Sequence, residues 1–391
     1  MSIKKQKIAL IGSTGSIGAE TLEVISKFKK NFKIELLSFN KNYSLGLKQI
    51  KKFQPKYVYI EDFETFNLIR KKIKKNILVF NKISLLEKGI KSKFDKTVLA
   101  VPGTEGLKYA FLFLKKSKKL LIANKESIIC GGKFLLSKAK TYNCSILSID
   151  SEHYCIGQSL KKSELNDIDS VYLTASGGPF LNKKRNFFFK SNVNKATSHP
   201  NWKMGKKIST DSATMVNKIF ELIEAHILYG IPCNKLKIKI HKESLAHCAI
   251  VLKNGIVRII MHDTSMEIPI RNSLFDNQYF AHQKNVFNKK NNFQLNFDES
   301  SLDEFEIVKF GYKILKNGHC SWILFNVFND YFVEKFLNKE IFFYQIAKNL
   351  IKIFDENSIK KHSKKNKINS ISDILNTIIY AKKFTKNYKI K

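Results

Sequence analysis

Five strand-like residues, Lys7-Ile8-Ala9-Leu10-Ile11, run without a break into Gly12-Ser13-Thr14-Gly15-Ser16-Ile17-Gly18. A helix-like stretch follows over residues 19–28, with apolar positions at Leu22, Ile25 and Phe28. No other part of the chain restricts the possible folds as tightly. Glycines at this spacing let a backbone approach a pyrophosphate, and the following helix end offers N–H groups and the positive pole of its dipole. The spacing alone is common. Its place between a strand and a helix is what marks a dinucleotide loop.

The alternation continues. Strands are expected over 34–39, 57–60, 77–80, 97–101, 120–123 and 145–149, with helices over 45–53, 63–73, 109–114 and 134–142 between them. Such a series implies a doubly wound parallel sheet covered on both faces, with ligands bound beyond the carboxyl ends of its strands. From residue 151 the pattern changes to short strands near 171–174, 236–240, 249–252 and 256–261, broken by glycine-rich loops, which reads as an α+β domain. After a polar stretch around 284–300, helices are expected over 305–315, 322–336, 341–354 and 371–384. The lysine-rich run at 360–367 reads as a solvated loop. The expected division is therefore 1–150, 151–283, a linker at 284–304, and a helical domain at 305–391.

The bulk charge points elsewhere. With 69 basic residues against 33 acidic ones, the net charge is +36, as in many nucleic-acid binders. Only four of the 69 are arginine (Arg70, Arg185, Arg258, Arg271), whereas base reading and phosphate forks favour the guanidinium. The lysines are spread over every segment, so no nucleic-acid partner is expected, although a positive field still steers anionic substrates. The six cysteines form no CxxC pair or zinc spacing, which suits reduced thiols. No uncharged apolar run reaches membrane-spanning length, and a strand begins almost at the first residue. A cytoplasmic protein with no membrane partner is expected.

At the end of the second strand stand Asn40, Lys41 and Asn42, where an NAD enzyme would carry an acid for the ribose 2′-hydroxyl. A cation with amides suits a 2′-phosphate, favouring NADPH. The plain alternative is one more surface lysine. Asp150 and Glu152 follow the last strand two positions apart, so in extended chain they project to one face, where two carboxylates repel unless a cation sits between them. Without nearby paired Cys or His, such oxygens suit Mg²⁺ or Mn²⁺. The alternative is a helix-capping Asp beside a surface Glu. Asp211 or Ser212 would cap a helix over 213–229 that places Asn217, Glu221 and Glu224 at i, i+4 and i+7. That face supplies either a third metal carboxylate or an ordinary water-facing surface. Ser176-Gly177-Gly178-Pro179 suits a phosphate or a hinge. Residues 199–205, with His199, Trp202 and Met204, suit a lid that excludes water.

Taken together, Gly12–Gly18, Ala123-Asn124-Lys125-Glu126-Ser127, Asp150-Ser151-Glu152-His153, 175–180, 199–209 and 211–224 closely resemble the 1-deoxy-D-xylulose 5-phosphate reductoisomerase family, in family order across about residues 7–270. The resemblance implies a Rossmann-like nucleotide domain, a central α+β catalytic domain, a C-terminal helical domain and a homodimer. It implies NADPH- and divalent-metal-dependent rearrangement and reduction of 1-deoxy-D-xylulose 5-phosphate to 2-C-methyl-D-erythritol 4-phosphate, with Mg²⁺ or Mn²⁺ as the metal. By resemblance, Thr14, Gly15, Ser16 and Ile17, with Asn40, Lys41 and Asn42, hold the cofactor, and Asn124, Glu126 and Gly205 line it. Asp150, Glu152 and Glu221 would bind the metal. Lys125, Ser151, Glu152, Ser176, His199, Ser212, Asn217, Lys218 and Glu221 would contact the sugar phosphate. Lys125, Glu152 and His247 would serve the chemistry. The chain departs from the family's phrases at Asn40, over 101–106, at 262–264 and at 326–330, outside the metal and substrate set. Another NADPH-dependent sugar-phosphate reductase and a basic nucleic-acid binder are the rival readings. A simple hydride-transfer enzyme needs no three-carboxylate set.

Overall fold

The computed structural model describes residues 4–181, 191–202, 204–277, 294–299, 302 and 305–391. It divides into two compact units. One comprises residues 1–124, 135–150 and 266–280, the other residues 125–134, 151–265 and 281–391. The first half of the expected linker, residues 284–293, lies outside the described residues, as do 300, 301, 303 and 304.

The first unit is a seven-stranded sheet in the order β4-β3-β2-β1-β5-β6-β7. Its strands are β1 (Gln6–Ile11), β2 (Phe32–Phe39), β3 (Tyr57–Ile60), β4 (Leu78–Phe80), β5 (Phe94–Leu99), β6 (Ser117–Ile122) and β7 (Ser145–Ser148), and every pairing is parallel. Parallel strands are buried on both faces, which is why most of β1 and all of β3 read as apolar runs. Leu10, Ile34, Leu37, Val58, Val98 and Leu121 form one core with Leu22 and Ile25 of the helix α1 (Ser16–Lys27). The chain returns late to this unit: Ile270 and Leu274, of the helix Glu267–Leu274, belong to the same core, and Phe275 meets Phe28 and Phe32 edge-on. The strand order reverses direction between β1 and β5, the switch point at which open sheets of this kind bind ligands.

Between these strands run α2 (Tyr43–Phe53), α3 (Phe63–Arg70), α4 (Ile83–Gly89), α5 (Gly106–Lys116) and α6 (Lys125–Thr141), the last interrupted at Gly132. Helix α4 has no counterpart in the sequence reading. It buries only Leu86 and carries no side-chain cap, so its periodicity is faint.

The second unit holds a four-stranded sheet in the order β11-β10-β8-β9: β8 (Ile168–Ala175), β9 (Leu236–Ile240), β10 (Ala246–Leu252) and β11 (Val257–Met261). It also contains helices at Glu306–Asn317, His319–Leu337, Phe343–Lys352, Asn357–Lys365 and Ile371–Asn387. The lysine-rich run expected as a solvated loop is largely one of these helices. Its buried anchor is Ile359, a single apolar residue masked in the sequence by surrounding charge. Among the described residues, no helix is long and apolar enough to cross a membrane.

Candidate active site

The glycine segment lies beyond the end of β1 at the switch point. Gly12 takes a φ of +90°, and a Cβ there would stand 2.5 Å from the carbonyl oxygen of Ala100, just past β5. A Cβ on Gly18 would stand 2.2 Å from the Gly12 oxygen. Only glycine permits this closeness of helix, turn and neighbouring strand. Ser13 fastens the turn by donating to Gln49 Oε1 at 2.7 Å, while Gln49 Nε2 donates back to the Ser13 carbonyl at 2.8 Å. Gly15 caps α1 with no side chain on the helix end, so Ser16, Ile17 and Gly18 open a first turn suited to an anion. This cradle fits a nucleotide pyrophosphate.

Asn40 and Lys41 are exposed at the end of β2. Asn42 serves its own helix: its side chain accepts from the Leu45 N–H at 3.2 Å, capping α2. Asn124 Nδ2 donates to the Gly103 carbonyl at 3.1 Å.

The acidic cluster forms where the last parallel strand gives way to α7 (Ser151–Ser159). The expectation of an extended segment fails: the helix begins at Ser151, and Glu152 occupies its first turn, where the helix dipole favours an acid. Asp150, Glu152 and Glu221 nevertheless each direct an oxygen into one cluster, all within 4.8 Å of one another. Octahedral ligands at about 2.0–2.1 Å from Mg²⁺ lie roughly 3–4 Å apart, so these carboxylates need only small adjustments to hold such an ion. The donor set fits a hard divalent cation.

Glu221 comes from a helix that differs from the expected 213–229 span. The chain forms two helices, Lys206–Ala213 and Val216–Tyr229, joined at Met215 with a φ of +67°. Asp211 and Ser212 therefore lie inside the first helix and cap neither. The joint redirects the second helix so that Glu221 and Glu224 are fully buried, which removes the water-facing alternative.

Charges around Glu221 and Glu152 are compensated locally. Lys218 Nζ donates to Glu152 Oε1 at 2.7 Å and also to Glu221, while Lys125 Nζ stands 3.6 Å from Glu221 Oε1. Asn217 Nδ2 donates to Glu221 Oε1 at 2.6 Å, and the Ser151 hydroxyl to Glu152 Oε2 at 2.6 Å. Burial works against the charge on Lys218, but Glu152 and Glu221 hold its ammonium above the ordinary lysine range. Six of the named residues, Lys125, Ser151, Glu152, Asn217, Lys218 and Glu221, thus form one connected group.

A second group is neutral. His199 Nε2 and the Ser176 hydroxyl are 2.8 Å apart. His199 Nδ1 accepts from the backbone N–H groups of Trp202 at 3.0 Å and Asn201 at 3.2 Å. An acceptor at Nδ1 places the neutral ring's proton on Nε2, so Nε2–H donates to the Ser176 oxygen and the Ser176 hydroxyl keeps its own hydrogen to donate. Burial, reinforced by the ammonium of Lys218, lowers the His199 pKa to about 4. The Ser176 loop rests on Ser212: a Cβ on Gly178 would meet the Ser212 carbonyl oxygen at 3.2 Å. A neutral donor pair beside a lysine is suited to a phosphate.

His247, on β10, is buried and stacks on His262 with ring centroids 3.9 Å apart, and Trp202 meets it edge-on at 6.1 Å. Gly205 caps the helix Lys206–Ala213, and Lys203 lies outside the described residues. Glu126 pairs with Lys207 at 2.6 Å.

Sequence reasoning missed two features. His153 Nε2 lies 3.0 Å from Glu224 Oε2 in a wholly buried pair, with Tyr229 stacked on the imidazole. Lys207 gathers carboxylates from distant segments. Its i,i+4 spacing to Asp211 is visible in the sequence, but its link to Asp330 is not.

Family models match nearly the whole chain: 1-deoxy-D-xylulose 5-phosphate reductoisomerase over residues 8–132, its C-terminal domain over 146–229, and a DXP reductoisomerase C-terminal domain over 261–384. A 1-deoxy-D-xylulose 5-phosphate reductoisomerase of Pelagibacter ubique is 40% identical over 96% of this chain and 97% of its own, and one of a Thermoanaerobacter species is 36% identical over 92% and 93%. A crystal structure of DOX-P reductoisomerase in complex with NADPH, fosmidomycin and magnesium superposes with a TM-score of 0.90 at 27% identity, covering 97% of each chain. The Zymomonas mobilis enzyme in complex with NADPH gives 0.84 at 26% identity, again over 97% of each. With fold, glycine turn and buried acidic cluster in agreement, the chain belongs to the 1-deoxy-D-xylulose 5-phosphate reductoisomerase family.

Proposed function

We propose that this chain converts 1-deoxy-D-xylulose 5-phosphate to 2-C-methyl-D-erythritol 4-phosphate with NADPH and a divalent cation, Mg²⁺ or Mn²⁺. The observation that carries this reading is the convergence of three carboxylates, those of Asp150 and Glu221 buried and that of Glu152 partly so, within 4.8 Å beside Lys218 and Lys125. When bound, the cation supplies Lewis acidity toward the substrate's oxygens and NADPH supplies the hydride.

The chain's own residues do the rest. Asp150, Glu152 and Glu221 hold the cation, and Lys218 limits their mutual repulsion. Lys125 and Glu152 move protons near the reacting carbons, with Ser151 orienting Glu152 and His247 close by. Ser176, His199, Ser212, Asn217 and Lys218 grip the substrate, chiefly its phosphate. Trp202 and Met204 exclude water, which strengthens every charge interaction beneath them. Thr14, Gly15, Ser16 and Ile17 cradle the cofactor's pyrophosphate, Asn40, Lys41 and Asn42 lie toward its 2′-phosphate, and Asn124, Glu126 and Gly205 line it. On this reading residues 1–150 form the nucleotide domain, 151–283 the catalytic domain, 284–304 a linker and 305–391 a helical domain.

The same reading makes the protein a cytoplasmic homodimer. In its favour, all six cysteines are thiols, and the edge strand β11, with the turn before it, exposes Ile256, Val257 and Ile259. An apolar sheet edge of this kind favours cover by another chain. Light scattering tests the assembly: a dimer is expected, and a monomer at working concentration removes that part of the reading.

The decisive assay follows NADPH absorbance with 1-deoxy-D-xylulose 5-phosphate, with and without Mg²⁺ or Mn²⁺, against NADH. Metal-dependent consumption of NADPH is expected. A folded chain inactive under every condition overturns the reading.

A further inference from the structure

The strongest network outside the carboxylate cluster is centred on Lys207. Its Nζ lies 2.6 Å from Glu126 Oε1, 2.8 Å from Asp211 Oδ2 and 3.2 Å from Asp330 Oδ1. The three acids come from three separate stretches: the start of α6, the helix Lys206–Ala213 and the helix His319–Leu337. The last helix contributes more than Asp330. Asn329 Nδ2 donates to the other oxygen of Asp211 at 2.8 Å, and Asn326 Nδ2 donates to the Cys130 sulfur at 3.1 Å. Positions 326, 329 and 330 lie at i, i+3 and i+4 on one helix face, and both asparagines are wholly buried. Phe220 closes the site from a further side, its ring centroid 5.6 Å from the Lys207 nitrogen.

Three carboxylates held this closely around one point repel strongly without a cation among them. Burial opposes the charge on Lys207, but the acids hold the ammonium well above its ordinary range. Lys207 therefore holds Glu126 in place, and the helix face fixes where Lys207 stands. Neighbouring Lys206 is exposed and gives no such connection.

We propose that Lys207, fixed from the helix His319–Leu337 by Asp330 and, through Asp211, by Asn329, is a positioning residue that sets the orientation of Glu126 and thereby the affinity for NADPH. The proposal rests on the family reading of Glu126 as a cofactor-lining residue.

A double-mutant cycle tests it on the full chain, with NADPH as the probe and its fluorescence as the readout. Lys207→Met and Glu126→Gln are each expected to raise the NADPH Kd about tenfold, and the double variant to be no more than about threefold worse than either, because coupled residues do not add. Losses that multiply, or an unchanged Kd in Lys207→Met, overturn the proposal, as does a lowered Tm with no change in affinity. If Lys207→Met does not fold, Asp330→Ala, at a partly exposed position, is expected to raise the Kd about threefold and Asp330→Glu to restore it. No rise, or no rescue, overturns the proposal equally. A wild-type chain that binds no NADPH overturns the family reading and this proposal with it. Wild-type binding with unshifted variants overturns the proposal alone.

Discussion

Lys218 Nζ stands 2.7 Å from Oε1 of Glu152, a residue 66 positions earlier in the chain, and the same ammonium bonds to Glu221 on its own helix. One buried cation thus serves two of the three acids in the candidate metal cluster. Removing one partner from a buried ionic group costs on the order of 3–5 kcal/mol, because the remaining charges are left uncompensated. Lys218→Met is expected to be markedly less stable than wild type without metal and to recover part of that loss in Mg²⁺, where a second cation stands in. Thermal unfolding with and without Mg²⁺ checks this. Equal metal stabilisation of the variant and wild type would separate Lys218 from the metal cluster.

Glu221→Gln keeps the shape of the side chain and the Asn217 contact but removes a charged oxygen of the candidate metal cluster. Its turnover is expected to fall on the order of a hundredfold, with metal half-saturation rising by about tenfold or more. Steady-state kinetics across a Mg²⁺ titration reads both. Wild-type metal dependence in this variant would remove Glu221 from the metal set.

Lys41 is exposed beyond β2, while the neighbouring Asn42 side chain is spent on capping α2. Among these three positions, only Lys41 carries a charge that the proposed 2′-phosphate contact could use. Lys41→Ala is expected to raise the KM for NADPH about tenfold at low salt, equivalent to about 1.4 kcal/mol, and to leave NADH unaffected. Parallel kinetics with the two nucleotides decides it, and equal effects on both would make Lys41 an ordinary surface lysine.

His199 is held neutral, with its pKa lowered to about 4 by burial and by Lys218. In the unfolded chain a histidine takes up its proton near pH 6.5. Between about pH 6.5 and 4 the unfolded state therefore binds a proton that the folded state refuses, and stability falls as pH falls through that window. His199→Gln is expected to flatten this part of the Tm profile and to match the wild-type slope above pH 7. A wild-type profile flat from pH 7 to 4.5 would show that His199 titrates normally.

Much of the fold was legible because local pattern and tertiary role coincide in it. The central strands of the parallel sheet are largely buried, so β1 and β3 read as short apolar runs, and Gly12 and Gly18 stand where any Cβ would collide with backbone. Helix α4 and the helix Asn357–Lys365 were not legible, since each buries a single apolar residue, Leu86 or Ile359. The reversal at Met215 was hidden as well. A positive φ at a non-glycine residue is imposed by packing, and nothing in Ala213-Thr214-Met215-Val216 advertises it.

The sequence by itself determined the residue types: the glycine turn behind a strand, the acids at 150, 152 and 221, and the serine, histidine and lysine suited to a phosphate. Those choices follow from chemistry that operates over a few bonds. Apart from the helical neighbours Lys218–Glu221 and Lys207–Asp211, only the tertiary structure decided which charges meet. Lys218 is shared between Glu152 and Glu221, Lys125 faces Glu221, and Lys207 unites Glu126, Asp211 and Asp330. Coulomb energies depend on separation in space and on burial, and a one-dimensional string carries neither for residues 66 or more positions apart.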